Sequence, residues 1–307
     1  MVERKLKNFD LGQICDSGQC FRMRRQSEDT FQILASDREI EVTRRADRWL
    51  FHCEEKEFAQ FWEQYFDLKE DYERYREQIN PRDRYLRNAA EFGIGIRILR
   101  QDLWEMIVSF LISQQSNIVR IRRCIENLCE SYGEKKIGGG GGVYYAFPRP
   151  EVLAGLQEDA LKGCNLGYRS KYVVRSAQSV VSGEIDLNQV RSMPYSKART
   201  ELQKLYGVGE KVADCICLFA LHQLEAFPID THIHQVLERH YRRGFPNRRY
   251  WKCRGVMQQY IFYYELEGTK ESGRTPGRGD GSLSYSSSVS IEEGKITTAS
   301  VPPCSGI

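Results

Sequence analysis

The chain has 307 residues, of which 41% are hydrophobic, so it is long enough to bury a sizeable core and is not an intrinsically disordered protein. Its net charge of +3 is only mildly basic, which permits nucleic-acid binding without establishing it. No apolar run reaches the length of a membrane span, and the opening residues MVERKLKNFD lack the apolar core of a signal peptide, so we expect a cytoplasmic protein without membrane contact.

Residues 21–53 show the alternation of polar and apolar positions that is typical of a small antiparallel sheet. Short polar turns separate three strand-like runs, which are Thr30–Leu34, Glu39–Val42 and Arg48–Phe51. Residues 1–80 are therefore predicted to form an N-terminal antiparallel sheet domain.

The ten cysteines show no CxxC pair and no Cys/His spacing typical of zinc, so we expect reduced thiols and no metal site.

Helical periodicity takes over from Pro81. One segment carries an apolar stripe with spacings of three and four residues, at Leu103, Met106, Ile107, Phe110 and Leu111. Gly138–Gly142 is a pure glycine run, which we interpret as a surface loop. We predict a mainly helical domain over 81–266, which makes the chain an α+β protein. The Gly, Ser, Thr and Pro residues that follow predict a disordered tail over 267–307.

The most informative segment covers residues 202–230 and reads LQKLYGVGEKVADCICLFALHQLEAFPID. Gly207, Val208 and Gly209 separate two helical patterns, which predicts a helix-hairpin-helix. Glycine permits a positive-φ connection and leaves backbone N–H groups open at the start of the second helix, where the helix dipole is positive. We therefore expect the hairpin to grip a phosphate without reading sequence.

Two further residues of this segment have side chains suited to catalysis. Lys211 lies in the first turn of the second helix, where a cation is disfavoured, so its amine should lose a proton more readily and act as a nucleophile. Asp230 follows Pro228 and precedes the helical pattern THIHQVL, which predicts an N-cap carboxylate. Taken singly, Lys211 could be a solvated lysine and Asp230 an ordinary cap.

Together these features resemble the helix-hairpin-helix base-excision DNA glycosylases, whose signature is the glycine hairpin, the lysine and the following Pro-x-Asp. GVGEKVADCICLFAL is similar to the 8-oxoguanine DNA glycosylase branch, as are SGQCFR, ILRQD, SNIVRI and LGYRSKY. The resemblance runs from about Asp10 to Leu266. It implies a bifunctional DNA glycosylase and AP lyase that needs no metal or organic cofactor. The chain lacks the four-cysteine run with which endonuclease III and adenine glycosylases hold an iron–sulfur cluster.

The resemblance implies roles for the catalytic and phosphate-binding residues. Lys211 would attack C1′ as the N-glycosidic bond breaks, giving a Schiff base that permits elimination of the 3′ phosphate. Asp230 would stabilise the positive charge that develops on the sugar. His232 corresponds to a phosphate-contacting histidine at a helix start, beside the phosphate grip of Gly207 and Gly209.

Four residues are implied in recognition of the damaged base. 8-Oxoguanine carries a hydrogen at N7 that guanine lacks, so a backbone carbonyl aimed there separates the two bases, and Gly18 matches the family's position for that carbonyl. Cys215 and Phe262 correspond to the residues that contact the two faces of the base. Gln258 corresponds to the residue that hydrogen-bonds its edge. Without the family resemblance, we would assign the Phe262 side chain to packing in the hydrophobic core.

Four more residues are implied in opening the duplex. Gln115 stands where the family has an asparagine that fills the space left by the extruded base. Tyr168 would wedge beside it, while Arg120 and Arg169 would hydrogen-bond the orphaned cytosine. Gln115 departs from the family pattern, which bears on the preference for cytosine opposite the lesion.

Two alternatives stay open from the sequence. A monofunctional alkylbase glycosylase of the same fold would keep the aspartate but would have no need of the lysine, so Lys211 argues against it. A non-catalytic DNA-binding module would use the hairpin only as a phosphate grip. We expect a monomer whose partner is double-stranded DNA containing oxidised guanine.

Overall fold

Alternating strands and tight turns build an antiparallel sheet in the first part of the chain. The structure is a computed structural model, and it describes residues 1–268. The sheet has the strand order β1-β5-β4-β3-β2, and every neighbouring pair is antiparallel. Its strands are β1 Val2–Arg4, β2 Met23–Arg25, β3 Thr30–Ala35, β4 Arg38–Arg45 and β5 Arg48–Phe51.

The three predicted strands are confirmed as β3, β4 and β5. Each of the two turns that join them contains a non-glycine residue with positive φ, Ser36 at 54° and Ala46 at 53°. Strands β1 and β2 were not predicted, because three residues are too few to show an alternating pattern. Both lie at the edges of the sheet.

The sheet shares a hydrophobic core with short helical segments, which are α1 Leu11–Asp16, a π-helical turn Phe58–Trp62 and α3 Glu63–Tyr65. Helix α2 Glu55–Glu57 precedes the π-helical turn and has no buried residue. Aromatic rings dominate this core, and the rings of Phe51 and Phe58 lie 4.9 Å apart at an angle of 61°. Edge-on packing of this kind adds to the free energy gained from burial.

The chain becomes mainly helical after the sheet, as predicted, so the α+β class is confirmed. Helices α1 to α4 precede Pro81, and Asp83 caps α5, so the helical structure starts earlier than the predicted boundary. The helices that follow α3 are α4 Glu73–Glu77, α5 Arg84–Phe92, α6 Leu103–Ser113, α7 Ile118–Tyr132, α8 Pro150–Ala154, α9 Ser170–Val181, α10 Leu187–Ser192, α11 Tyr195–Leu202, α12 Glu210–Phe219, α13 Thr231–His240 and α14 Arg254–Tyr263.

A second hydrophobic core fills the helical part. Helix α6, which carries the predicted apolar stripe, is buried from Leu103 to Ile112. An amphipathic surface helix would bury only one face, so α6 is a central helix. Helix α12 packs against it, and α14 packs against α5 and α13.

The remaining sequence predictions concern loops and the tail. The glycine run is confirmed as the exposed tip of a hairpin formed by β6 Lys135–Ile137 and β7 Val143–Tyr145. A π-helical turn, Tyr264–Gly268, ends the described chain, so the predicted tail lies outside the described residues apart from its first two positions. Within residues 1–268 no helix is long and apolar enough to cross a membrane, and no group of three or more potential metal ligands is present.

Candidate active site

The helix-hairpin-helix is formed by α11, the turn that follows it and α12, and its two glycines differ in what they require. Gly207 has φ of 93°, and a Cβ there would lie 2.6 Å from Cγ of Tyr172. This position therefore needs glycine both for its backbone and for space. Gly209 has φ of −90° and no neighbouring atom within 4 Å of a Cβ. Its openness leaves the start of α12 accessible to a ligand.

Lys211 lies in the first turn of α12 and is half-buried. Its Nζ lies 5.7 Å from the ring centroid of Phe110, which α6 contributes. An aromatic face at this distance attracts a cation and keeps water from one side of the amine. Packing of α12 against α6 therefore sets the direction of the lysine side chain.

The prediction that Asp230 is an N-cap is confirmed. Its Oδ1 accepts a hydrogen bond of 2.8 Å from the backbone N–H of Ile233, at the start of α13. The preceding residue, Ile229, is 47% exposed, so the capping loop lies at the surface. The cap holds the carboxylate in one position relative to the helix.

Lys211 and Asp230 line the same pocket. It opens to solvent and is also lined by the four residues that were predicted to recognise a base. The pocket is lined by Ser17, Gly18, Phe110, Lys211, Cys215, Phe219, Pro228, Asp230, Gln258, Gln259 and Phe262. Residues far apart in sequence thus meet at one concave site.

Cys215 supplies an apolar wall of the pocket. Its side chain is 4% exposed, and it lies one helical turn after Lys211 on α12. Burial raises the pKa of its thiol to about 11, although the Lys211 ammonium acts in the opposite direction. The group is therefore a neutral thiol at physiological pH.

Gly18 and Phe262 contact each other across the pocket. Gly18 has φ of 72°, in the left-handed region, and a Cβ there would lie 2.9 Å from Cε1 of Phe262. A side chain at position 18 would therefore strain the backbone and displace the ring. The glycine keeps the turn between α1 and β2 close to the aromatic wall.

Gln258 brings an unpaired polar atom into the pocket. Its Nε2 donates a hydrogen bond of 3.2 Å to the carbonyl of Pro228. Its Oε1 is buried and has no hydrogen-bond partner among the described residues. A buried acceptor without a donor is costly, and in a pocket it indicates a place for a donor on a ligand.

Two buried amides beside Gly18 were not identified from the sequence, and one of them, Gln259, lines the pocket. Gln259 is almost completely buried, and its Nε2 donates to the backbone carbonyl of Ser17. Gln19 donates to Oγ of Ser17 at 2.9 Å. These amides hold the turn that contains Gly18. Two adjacent glutamines in an otherwise apolar helix were the available signal, since buried amides need partners.

The loop of residues 114–116 follows α6 and lies beside the hairpin. Gln115 is exposed and has φ of 49°, which is unusual for a residue with a side chain. Its Oε1 accepts a hydrogen bond of 3.4 Å from Tyr168, whose ring is 45% exposed. Gln114 donates from Nε2 to the Gly207 carbonyl at 3.1 Å. The 114–116 loop is therefore tied to the hairpin.

Arg169 is turned inward in this structure. It is 4% exposed, and it donates from Nε to the Gln114 carbonyl at 2.8 Å and from Nη2 to the carbonyls of both Gln114 and Gln115. The resemblance predicts a bond to cytosine, whereas here the guanidinium anchors the 114–116 loop. Arg120 is exposed near the start of α7, and His232 is exposed in the first turn of α13.

The loop between α12 and Asp230 is anchored to the first part of the chain. Asp67, which is almost completely buried, accepts hydrogen bonds from His222 Nε2 at 3.1 Å, Arg100 Nε at 2.8 Å and the Tyr72 hydroxyl at 2.9 Å. Burial acts to raise the pKa of the Asp67 carboxyl, but the bonds and charges of His222 and Arg100 outweigh it and lower the pKa. The carboxylate is therefore ionised and paired.

Comparison with known proteins agrees with this geometry. The model of the 8-oxoguanine DNA glycosylase N-terminal domain matches residues 1–107, and that of the HhH-GPD superfamily base excision DNA repair proteins matches residues 108–248. A probable N-glycosylase/DNA lyase from Methanothermobacter thermautotrophicus is 30% identical over 68% of this chain and 73% of its own length. The chain belongs to the 8-oxoguanine DNA glycosylase family.

Other members of the 8-oxoguanine DNA glycosylase family extend the comparison. The 8-oxoguanine glycosylase/lyase of Clostridium acetobutylicum, solved with double-stranded DNA containing cytosine opposite 8-oxoG, is 34% identical with a TM-score of 0.80. That similarity covers 88% of this chain and 94% of the clostridial chain. A yeast N-glycosylase/DNA lyase is 35% identical, but the match spans 48% of this chain and 42% of the yeast protein.

Proposed function

We propose that this chain is a bifunctional DNA glycosylase and AP lyase that excises 8-oxoguanine from duplex DNA. The observation that carries the proposal is the single pocket lined by both Lys211 and Asp230. Its other walls bear a neutral thiol, an aromatic ring and an unpaired amide oxygen, which suit a flat heterocycle with N–H donors. Duplex DNA is the substrate.

Recognition of the base is proposed to use the pocket walls. The base lies between Cys215 and Phe262, and its N1–H and N2–H groups donate to Oε1 of Gln258, which otherwise has no partner in the described chain. The backbone carbonyl of Gly18 accepts the N7 hydrogen that 8-oxoguanine carries and guanine lacks. Guanine would instead place an N7 lone pair against that carbonyl.

The chemistry is proposed to need only groups of the protein. Nζ of Lys211 forms a bond to C1′ while the electrons of the C1′–N9 bond leave with the base, which takes up a proton. The Asp230 carboxylate offsets the positive charge that develops on the sugar. Opening of the sugar ring gives a Schiff base. Loss of a C2′ proton then expels the 3′ phosphate, which is the lyase step.

Opening of the duplex is proposed to use the exposed side chains beside the pocket. Gln115 enters the space left by the extruded nucleotide, and Tyr168 inserts beside it. Arg120 reaches the unpaired cytosine, and Arg169 does so after exchanging its bonds to the 114–116 loop. The N–H groups at Gly207 and Gly209, together with His232, bind phosphates.

Borohydride trapping tests the proposal. Wild type and Lys211→Gln are incubated with a duplex containing one 8-oxoguanine opposite cytosine, and with the matching undamaged duplex. We expect a covalent adduct only for wild type on damaged DNA. Base release without an adduct would favour the monofunctional alternative, and absence of both would contradict the proposed substrate and the proposed nucleophile.

The alternatives are less well supported. A monofunctional alkylbase glycosylase would leave Lys211 in the pocket without a role, and a DNA-binding module would not need the pocket. We propose residues 1–80 as the sheet domain and 81–266 as the catalytic domain, since all but Leu99 of the sheet core comes from the first range and most of the helical core from the second. The monomeric state and the cytoplasmic location stay predictions, and light scattering tests the first.

A further inference from the structure

The connection between α13 and α14 is strongly basic. Residues 241–254 read YRRGFPNRRYWKCR and include six arginine and lysine residues but no acidic residue. Because the whole chain carries a net charge of only +3, the rest of it is net negative. We call this cluster the distal basic patch, and its cations are Arg242, Arg243, Arg248, Arg249, Lys252 and Arg254.

The cations of the distal basic patch have no carboxylate within ion-pair distance in the described chain. Five of the six cations are exposed, and Arg254 is half-buried. None of them forms an ion pair with a carboxylate in residues 1–268, whereas arginines elsewhere commonly do, as in the pair of Arg24 with Glu126. One cation would be enough to complement the negative end of the α13 dipole. Six cations without a carboxylate partner, of which Arg249 and Arg254 donate to backbone carbonyls, point to a polyanionic ligand.

An exposed indole lies within the patch. Trp251 is 53% exposed, and the guanidinium carbon of Arg254 lies 5.5 Å from its ring centroid. The other three tryptophans are buried. Arginine together with an exposed aromatic ring provides charge for phosphate and a flat apolar surface for sugar or base. This combination favours nucleic acid over an acidic peptide.

The patch lies at the opposite end of α13 from the pocket. Asp230 caps the first residue of α13, and Tyr241 follows the last. Ten helical residues separate the two ends by about 15 Å. The N–H groups of a helix N-terminus point at the phosphate they bind, so the chain beyond the C-terminus leads away from that strand. Helix α14 leads back from the patch to the pocket, and Gln258 lies one helical turn after Arg254, so the separate surface is formed by the patch cations that precede Arg254.

We propose that the distal basic patch binds a second segment of DNA while the pocket face holds the first. A protein with two such surfaces can pass directly from one DNA segment to another without first becoming free in solution. The inference goes beyond base excision, and undamaged DNA is enough to test it. A failure of the proposed glycosylase activity would leave the result of that test unchanged.

Dissociation kinetics test the proposal. The protein is bound to a labelled undamaged duplex and mixed with increasing concentrations of the same duplex without label. For wild type the dissociation rate should rise with competitor concentration, because the second duplex binds before the first leaves. In the triple variant Arg243→Gln, Arg248→Gln and Lys252→Gln this dependence should be lost. The slope of log K against log salt concentration for binding of the second duplex should become shallower by up to about three, because three cations are removed.

A matched variant controls for net charge. Arg45→Gln, Lys56→Gln and Lys135→Gln remove three exposed cations of the first half of the chain, so the change in net charge is the same. This variant should keep the wild-type concentration dependence. The proposal is overturned if the patch variant keeps it as well, or if both variants lose it equally. Thermal unfolding checks that both variants are folded.

Trp251 reports on the patch directly. Because the other tryptophans are buried, acrylamide should quench mainly its fluorescence. Addition of duplex beyond one equivalent should protect the indole, and Trp251→Phe should abolish the signal. An indole that is quenched as strongly in excess DNA as in free protein would contradict contact between the patch and DNA.

Discussion

The pocket and the 114–116 loop are built in different ways. Two helices carry most of the pocket side chains, and these are fixed by burial in the helical core. The loop contains a non-glycine residue with positive φ and is held by polar bonds from Arg169 and Gln114. The difference teaches that most groups which need fixed geometry lie on packed helices or, like Asp230, at a helix cap, whereas a segment proposed to enter a duplex lies on a tethered loop.

Asp230→Asn should have the largest effect and should separate catalysis from stability at the pocket. Asparagine caps a helix about as well as aspartate, so the free energy of unfolding should change by less than about 1 kcal/mol. The charge on the carboxylate is lost, so single-turnover excision should slow by about 10² to 10³. Quenched-flow kinetics measure the excision rate, and urea unfolding measures the free energy of unfolding. A near-wild-type rate would remove Asp230 from the proposed chemistry.

Gly18→Ala and Gly167→Ala compare the pocket with the turn that carries Arg169, the anchor of the 114–116 loop. Both glycines have positive φ, 72° and 59°, so alanine should cost each about 1 to 2 kcal/mol of stability. A Cβ at Gly18 would meet Phe262 at 2.9 Å, whereas a Cβ at Gly167 would meet no atom within 4 Å. Excision should therefore fall about tenfold or more only for Gly18→Ala. Equal losses in the two variants would contradict the importance of the close contact.

Arg169→Lys should loosen the 114–116 loop without changing its charge. Lysine cannot reproduce the forked bonds to the carbonyls of Gln114 and Gln115. We expect affinity for a lesion duplex to weaken by about tenfold, equivalent to about 1.4 kcal/mol. Excision at saturating enzyme should stay near the wild-type rate. Fluorescence anisotropy gives the affinity, with the exposed Arg45→Lys as control, and an unchanged affinity would show that the tether is dispensable.

Asp67, which anchors the loop between α12 and Asp230, should make the free energy of unfolding depend slightly on pH. The pKa of Asp67 is lower in the folded protein than the unfolded value of about 3.9, so the unfolded state binds the proton first as pH falls. The stability that Asp67 contributes is therefore complete above about pH 5 and is lost as pH falls through the folded pKa. Urea unfolding from pH 3 to 7 should show a flatter profile for Asp67→Asn, and parallel profiles would contradict this.

The parts that could be predicted from sequence are those encoded by local patterns. The three alternating runs, the hairpin at Gly207 and the cap at Asp230 each depend on residues within a few positions of one another, and each is confirmed. The α+β class follows from the same patterns. Family resemblance supplied four further pocket residues, Gly18, Cys215, Gln258 and Phe262, and their roles stay predictions.

The parts that could not be predicted depend on contacts between distant residues. The bond from Gln259 to the Ser17 carbonyl joins positions 242 residues apart. Arg169 turns inward because carbonyls 54 and 55 residues earlier accept its bonds, which no local pattern indicates. The edge strands β1 and β2 were missed for a related reason, since three residues take strand form only through their neighbours.

The buried thiol of Cys215 has a consequence for survival under oxidative stress. With a pKa of about 11, only about one molecule in ten thousand carries the thiolate at neutral pH. Peroxide attacks the thiolate and not the thiol, so this cysteine should resist oxidation to sulfenic acid. We therefore expect the Cys215 thiol to stay reduced under conditions that oxidise guanine in DNA.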